Sequence, residues 1–99
     1  MKIVNVAEGF GLDVEFHAPG PAQRQCIAAI RNTNYYEMAL VHPDAPNTTP
    51  PIYAGDYRDQ LDVVDESGMV SVQEGPGLGV EYDWEYIEEN QTGSLHTYE

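Results

Sequence analysis

The chain has 99 residues, 41% of them hydrophobic, and a formal net charge of −13, enough for one small domain and not two. A surface of that sign repels nucleic acid and anionic membranes, so neither is an expected partner. A single cysteine, Cys26, excludes an internal disulfide and fits a reducing, cytoplasmic setting.

The charge is unevenly spread. Residues 1–43 hold Lys2, Arg24 and Arg31 against Glu8, Asp13, Glu15 and Glu37, whereas residues 44–99 set Arg58 alone against thirteen carboxylates. Residues 1–11 contain no long apolar run, so neither a signal peptide nor a membrane span is expected. Residues 1–8 carry Ile3, Val4, Val6 and Ala7 and read as the last turns of a helix that Gly9 and Gly11 stop.

From Leu12 the period changes to two. Leu12, Val14 and Phe16 alternate with Asp13, Glu15 and His17, which predicts a strand over residues 12–16 that His17 ends. A turn at Ala18-Pro19-Gly20 leads into a predicted helix over residues 21–31, with Pro21 in its first turn. Ala22, Cys26, Ile27, Ala29 and Ile30 form its apolar stripe. Asn32 and Thr33 break it, and a second strand is predicted over residues 34–38, with Glu37 near its end.

Strand, helix and strand in that order predict parallel strands whose C-terminal ends share one edge of a sheet. Neighbouring strands lie ~5 Å apart, so His17 and Glu37 are expected to face one small ligand there. A histidine and a glutamate so placed suit proton transfer or recognition of an oxygen-rich substrate. For Glu37, flanked by Tyr35, Tyr36, Met38 and Leu40, partial burial is expected. Two roles are open to it: an ion pair with Arg31 or Arg24, or a hydrogen bond to substrate.

Beyond Val41 the character differs. The proline-rich run over residues 42–51 predicts an extended surface loop. Short strands are expected at 61–64 and 69–72 around the turn 65–68, a glycine-rich turn at 75–80 and a short helix at 83–89. That glycine turn lacks the Lys-Ser/Thr of a phosphate loop. Asp56, Asp59, Asp62, Asp65 and Glu66 do not match calcium-loop spacing and read as a solvated face. His42 and His96 lack metal-ligand spacing, and Trp84 with Tyr82 and Tyr86 reads as an anchor for the tail.

Several segments together resemble a known family. Ala7-Glu8-Gly9-Phe10-Gly11-Leu12, His17, Ala28-Ala29 and Tyr35-Tyr36-Glu37 resemble the last βα units of the enolase-superfamily barrel, in its mandelate racemase branch with many acid-sugar dehydratases. The run Gly68-Met69-Val70-Ser71-Val72-Gln73-Glu74-Gly75-Pro76-Gly77-Leu78-Gly79-Val80 resembles the ending of those enzymes. The resemblance implies an α/β fold: a C-terminal βαβ fragment of a TIM-type barrel in residues 1–43, then an irregular acidic extension with short strands in 44–99 that packs on a capping domain.

It also implies roles. His17 matches the acid/base histidine of that branch, and Glu37 matches a glutamate that hydrogen-bonds the substrate carboxylate or its enolate-like intermediate. The implied reaction removes the proton α to a carboxylate, with Mg²⁺ required by the complete enzyme, as in enolase-superfamily sites generally. No counterpart of the metal-binding carboxylates, of the lysine base or of the histidine-orienting aspartate is found here. The expected partner is therefore the missing barrel and capping-domain polypeptide, with a sugar acid as substrate. The isolated chain is expected to be inactive and to bind no metal tightly. The alternative is a non-catalytic acidic binding or oligomerisation module, or a degenerate remnant.

Overall fold

The computed structural model describes residues 1–38, 44 and 49–94. Three short helices, α1 (Lys2–Gly9), α2 (Pro21–Ala28) and α3 (Trp84–Glu89), accompany two two-residue strands, β1 (Tyr53–Ala54) and β2 (Glu81–Tyr82). The expectations for Leu40, for most of the proline-rich run including His42, and for His96 fall outside the described residues.

Helix α1 ends as its glycines predict. Gly11 has φ +68. The amide of Gly11 donates to Glu8 O at 2.9 Å and that of Leu12 donates to Ala7 O at 2.9 Å. This double closure satisfies carbonyls that the helix end would leave unpaired. Helix α2 starts at Pro21 as expected but stops at Ala28, three residues before the predicted end. Beyond it Asn32 turns back: its side-chain amide donates to Leu12 O at 2.9 Å, and its own carbonyl accepts from Val14 N at 2.8 Å. Those bonds hold the chain next to residues 12–14, and a longer helix would break them.

The expected strands at 12–16 and 34–38 do not form a backbone ladder, so the βαβ unit is corrected in its bonding. Side chains make the link instead. Asp13 accepts from Asn34 Nδ2 at 3.0 Å, and Glu15 accepts from the amides of Asn34 at 3.1 Å and Tyr35 at 3.3 Å. His17 meets Glu37 at 3.2 Å. Partner numbers rise together along both segments, so the two run parallel, as expected. Glu15 captures the Asn34 and Tyr35 amides that a sheet neighbour would need, so its side chain competes with a ladder.

The second half is a set of turns. Leu61–Val63 forms a 3₁₀ turn where a strand was expected. The hairpin around 65–68 keeps one bridge, Val64 to Val70, with Asp65 Oδ1 accepting from Ser67 N and Met69 N. Strands β1 and β2, which no sequence pattern marked, pair antiparallel with Tyr53 opposite Tyr82. The rings of Tyr57, Tyr53, Tyr82 and Trp84 follow one another at 4.6, 5.5 and 5.7 Å between centroids. This aromatic run joins the start of the last helix to residues 53–57, with Trp84 itself 64% exposed. Asp83 caps α3 by accepting from Tyr86 N at 2.9 Å.

Little apolar surface is buried. Among the described residues the buried hydrophobic side chains are Val4 and Tyr57, while Ile3, Val6, Phe10 and Leu12 stay exposed. The accessible surface is 7840 Å², against about 5,600 Å² for a compact monomer of this mass. The radius of gyration is 15.9 Å, against about 13 Å for a compact domain of this length.

Candidate functional site

The parallel run of 12–17 beside 32–37 brings His17 and Glu37 together at its far end. His17 Nδ1 lies 3.2 Å from Glu37 Oε2, and the amide of Ala18 donates to the same oxygen at 3.0 Å. With the proton on Nδ1, the imidazole donates to Glu37 and leaves Nε2 as the basic nitrogen. The geometry therefore supports a carboxylate–imidazole pair whose free ring nitrogen can take or give a proton.

Two expectations about Glu37 change. It is exposed, with 43% of its side chain accessible and 93% for His17. It is also no ion-pair partner of an arginine: Arg31 pairs with Glu8 at 2.6 Å and Arg24 with Asp59 at 2.5 Å. Ala18, just after His17, has φ +65, the one non-glycine residue with positive φ among the described residues. A left-handed alanine is held there against a cost of roughly 1–2 kcal/mol. The bond from its amide to Glu37 helps hold it.

Next to this pair lies a buried polar cluster. Asp59 and Arg24 are 2% and 4% exposed, so both charges depend on their partners. Arg24 Nη2 donates to Asp59 Oδ1 at 2.5 Å and to Arg58 O at 3.2 Å, and Nη1 donates to Ser71 O at 3.1 Å. The hydroxyls of Tyr36 and Tyr57 each donate to the Asp59 carboxylate at 2.5 Å. The guanidinium stands 5.1 Å from the Tyr36 ring centre and 5.0 Å from that of Tyr57, within cation–π range. Arg24 Nε is buried without a partner among the described residues.

These contacts shift titrations. Burial, and then the hydrogen bond to Asp59, pushes the phenols of Tyr36 and Tyr57 up; for Tyr36 the Gly20 amide and Arg24 oppose the rise. Burial pulls the Arg24 guanidinium down, but the side chains of Tyr36 and Asp59 outweigh it and leave Arg24 raised. Asp59 is thus no part of a solvated acidic face. Its signal was local: Tyr57 and Asp59 are buried and Arg58 exposed, the alternation of an extended run. Nothing in the spacing tied that run to Arg24, which lies 35 positions earlier.

The described residues contain no group of three or more His, Cys, Asp or Glu side chains placed to hold a metal ion. Among the described residues, no helix is long and apolar enough to cross a membrane. A cleft of about 520 Å³ opens beside the cluster, lined by Ile27, Tyr36, Met38, Val64, Met69 and Val72 among others. A family model described as "Enolase C-terminal domain-like" matches residues 1–86, which include His17, Glu37 and the buried cluster. No curated protein and no solved structure matches the chain.

Proposed function

The chain belongs to the enolase C-terminal domain-like family, and from that membership we propose that it forms the C-terminal part of an acid-sugar dehydratase or racemase of the mandelate racemase type. The contact that carries this reading is His17 Nδ1 to Glu37 Oε2 at 3.2 Å. Two residues 20 positions apart meet at the end of two parallel segments, where a substrate of such a fold is expected.

In this proposal His17 Nε2 exchanges the proton. It takes or returns the proton α to the carboxylate in a racemase, or protonates the departing β-hydroxyl, released as water, in a dehydratase. Glu37 orients the ring through Oε2 and presents Oε1 to the substrate. Both side chains are exposed, so a covering polypeptide is needed to exclude water. The apolar side chains of Ile3, Phe10, Leu12 and Met69 stand exposed, and a barrel and capping-domain polypeptide as partner would cover them; the single cysteine fits a cytoplasmic setting. The residues described here do not fit a metal site. The magnesium of such an enzyme would be held by the partner, and the steps proposed for this chain are those of His17 and Glu37.

The test mixes the chain with a complementary barrel polypeptide and assays sugar-acid dehydration and racemisation with magnesium. Activity is expected only in the mixture. His17→Asn should then lower turnover by ~10²–10⁴-fold, the usual size of a general acid–base contribution, with substrate still bound. Glu37→Gln should lower turnover with the melting temperature preserved. Near-normal turnover in both variants contradicts the assignment. An inactive mixture with a stable monomeric chain favours the binding module.

A further inference from the structure

His17 opens a turn, residues 17–20, that is held at two points. One is Glu37 itself, which accepts from the amide of Ala18 at 3.0 Å. The other is the preceding residue, Tyr36, whose hydroxyl accepts from the amide of Gly20 at 2.9 Å. That hydroxyl has one proton, and it is given to Asp59 Oδ1 at 2.5 Å. The direction of this donation leaves a lone pair of Tyr36 free for Gly20.

Asp59 is itself locked. Arg24 and Tyr57 bond its two oxygens, and its amide donates to Thr49 Oγ1 at 2.8 Å. The turn also carries strain, since Ala18 is held at φ +65. Without both anchors, residues 17–20 would relax toward ordinary backbone and His17 would leave Glu37.

We propose that Tyr36 and Asp59 are positioning residues for His17 and Glu37: the buried carboxylate orients the Tyr36 hydroxyl, which pins the turn bearing His17. Asp59 lies in the acidic second half of the chain and the turn lies in the first, so this bond makes the geometry of the pair depend on the docking of residues 57–59. The inference rests on the proposed reading of His17 and Glu37 for its catalytic meaning, but the positioning itself is measurable without turnover.

The experiment compares Tyr36→Phe with Tyr57→Phe in the full chain. Each removes one hydroxyl from the same carboxylate, and of the two hydroxyls it is that of Tyr36 that bonds the turn. Sucrose is added to keep both variants folded. Amide hydrogen exchange and the imidazole nitrogen shifts of His17 are read by NMR. Tyr36→Phe should speed exchange at Ala18 and Gly20 by at least about tenfold relative to the amides of α2, the equivalent of ~1.4 kcal/mol of local opening. It should also convert His17 from one tautomer, with the proton on Nδ1, to a mixture. Tyr57→Phe loosens Asp59 but leaves the Tyr36 hydroxyl in place, so it should change both readouts less than Tyr36→Phe does. Uniform acceleration along the chain, no acceleration at Ala18 and Gly20, or an equal local effect of Tyr57→Phe overturns the proposal. Inactivity of the reassembled enzyme would count against the proposed reaction and leave these signals unchanged.

Discussion

Among single residues, the magnitudes separate one ion pair from the rest. Arg24–Asp59 is buried, with side-chain exposures of 5% and 3%, whereas Arg31–Glu8 has 88% and 40%. Removing one partner of a buried pair costs about 3–5 kcal/mol, because the other charge stays behind unpaired. An exposed pair contributes at most about 1 kcal/mol. Asp59→Asn should therefore destabilise the chain by several times as much as Glu8→Gln, measured as urea midpoints on the two variants. The tyrosines around Asp59 add a pH dependence. Their folded-state pKa values lie above the ordinary phenol value of about 10. Above that pH the unfolded chain holds fewer protons than the folded one, so stability falls as pH rises. Below about pH 9 these groups contribute no slope. Urea midpoints should be flat from pH ~7 to ~9 and drop beyond ~10, with a smaller drop in Tyr57→Phe. A midpoint that rises above pH 10 would contradict this.

At the level of elements, turns and caps replace long ladders. The glycine-rich turn at 75–79 closes with Gly79 N donating to Pro76 O at 3.1 Å. A Cβ on Gly79 would stand 2.8 Å from both Cβ and the carbonyl oxygen of Gln73, at φ +70. At Gly77, φ is +65 but nothing lies within 4 Å. Both alanine variants meet the left-handed cost of roughly 1–2 kcal/mol. Gly79→Ala adds overpacking of about 1–3 kcal/mol, because backbone cannot step aside. Gly79→Ala is expected to lower stability more than Gly77→Ala, and equal midpoints would show that Gln73 can move.

For the whole molecule, burial is the limiting quantity. Val4 and Tyr57 are the buried hydrophobic side chains among the described residues, and Ile3, Phe10 and Met69 are 81%, 80% and 64% exposed. So small an apolar core offsets little of the conformational entropy of 99 residues. The net charge of −13 adds self-repulsion. The chain alone should melt broadly at low temperature, bind apolar dyes and gain stability with added salt. A sharp two-state transition well above ~60 °C would contradict that expectation, since ordinary domains behave so.

Local patterns told much of this from the sequence. The glycine stop of α1, Pro21 at the head of α2, the turn at 65–68 and the short last helix each follow from residues within one or two turns of one another. The parallel course of residues 12–17 and 34–37 was also legible, because period and chain order determine it. Only the tertiary structure decided how these segments are joined. By alternation Asp13 and Glu15 face either water or a polar cavity, yet both bond the neighbouring segment, and Glu15 takes the amides of a ladder. Likewise Asp59 reads as part of a solvated face, and Arg24 as one of two candidate ion-pair partners of Glu37. Their burial depends on an extended run folding back onto a helix 35 positions earlier. No local period encodes such a meeting. The strand–helix–strand order brings His17 and Glu37 to one edge, whereas the anchors of the turn, Tyr36 and Asp59, become visible only when the distant half of the chain is packed against it.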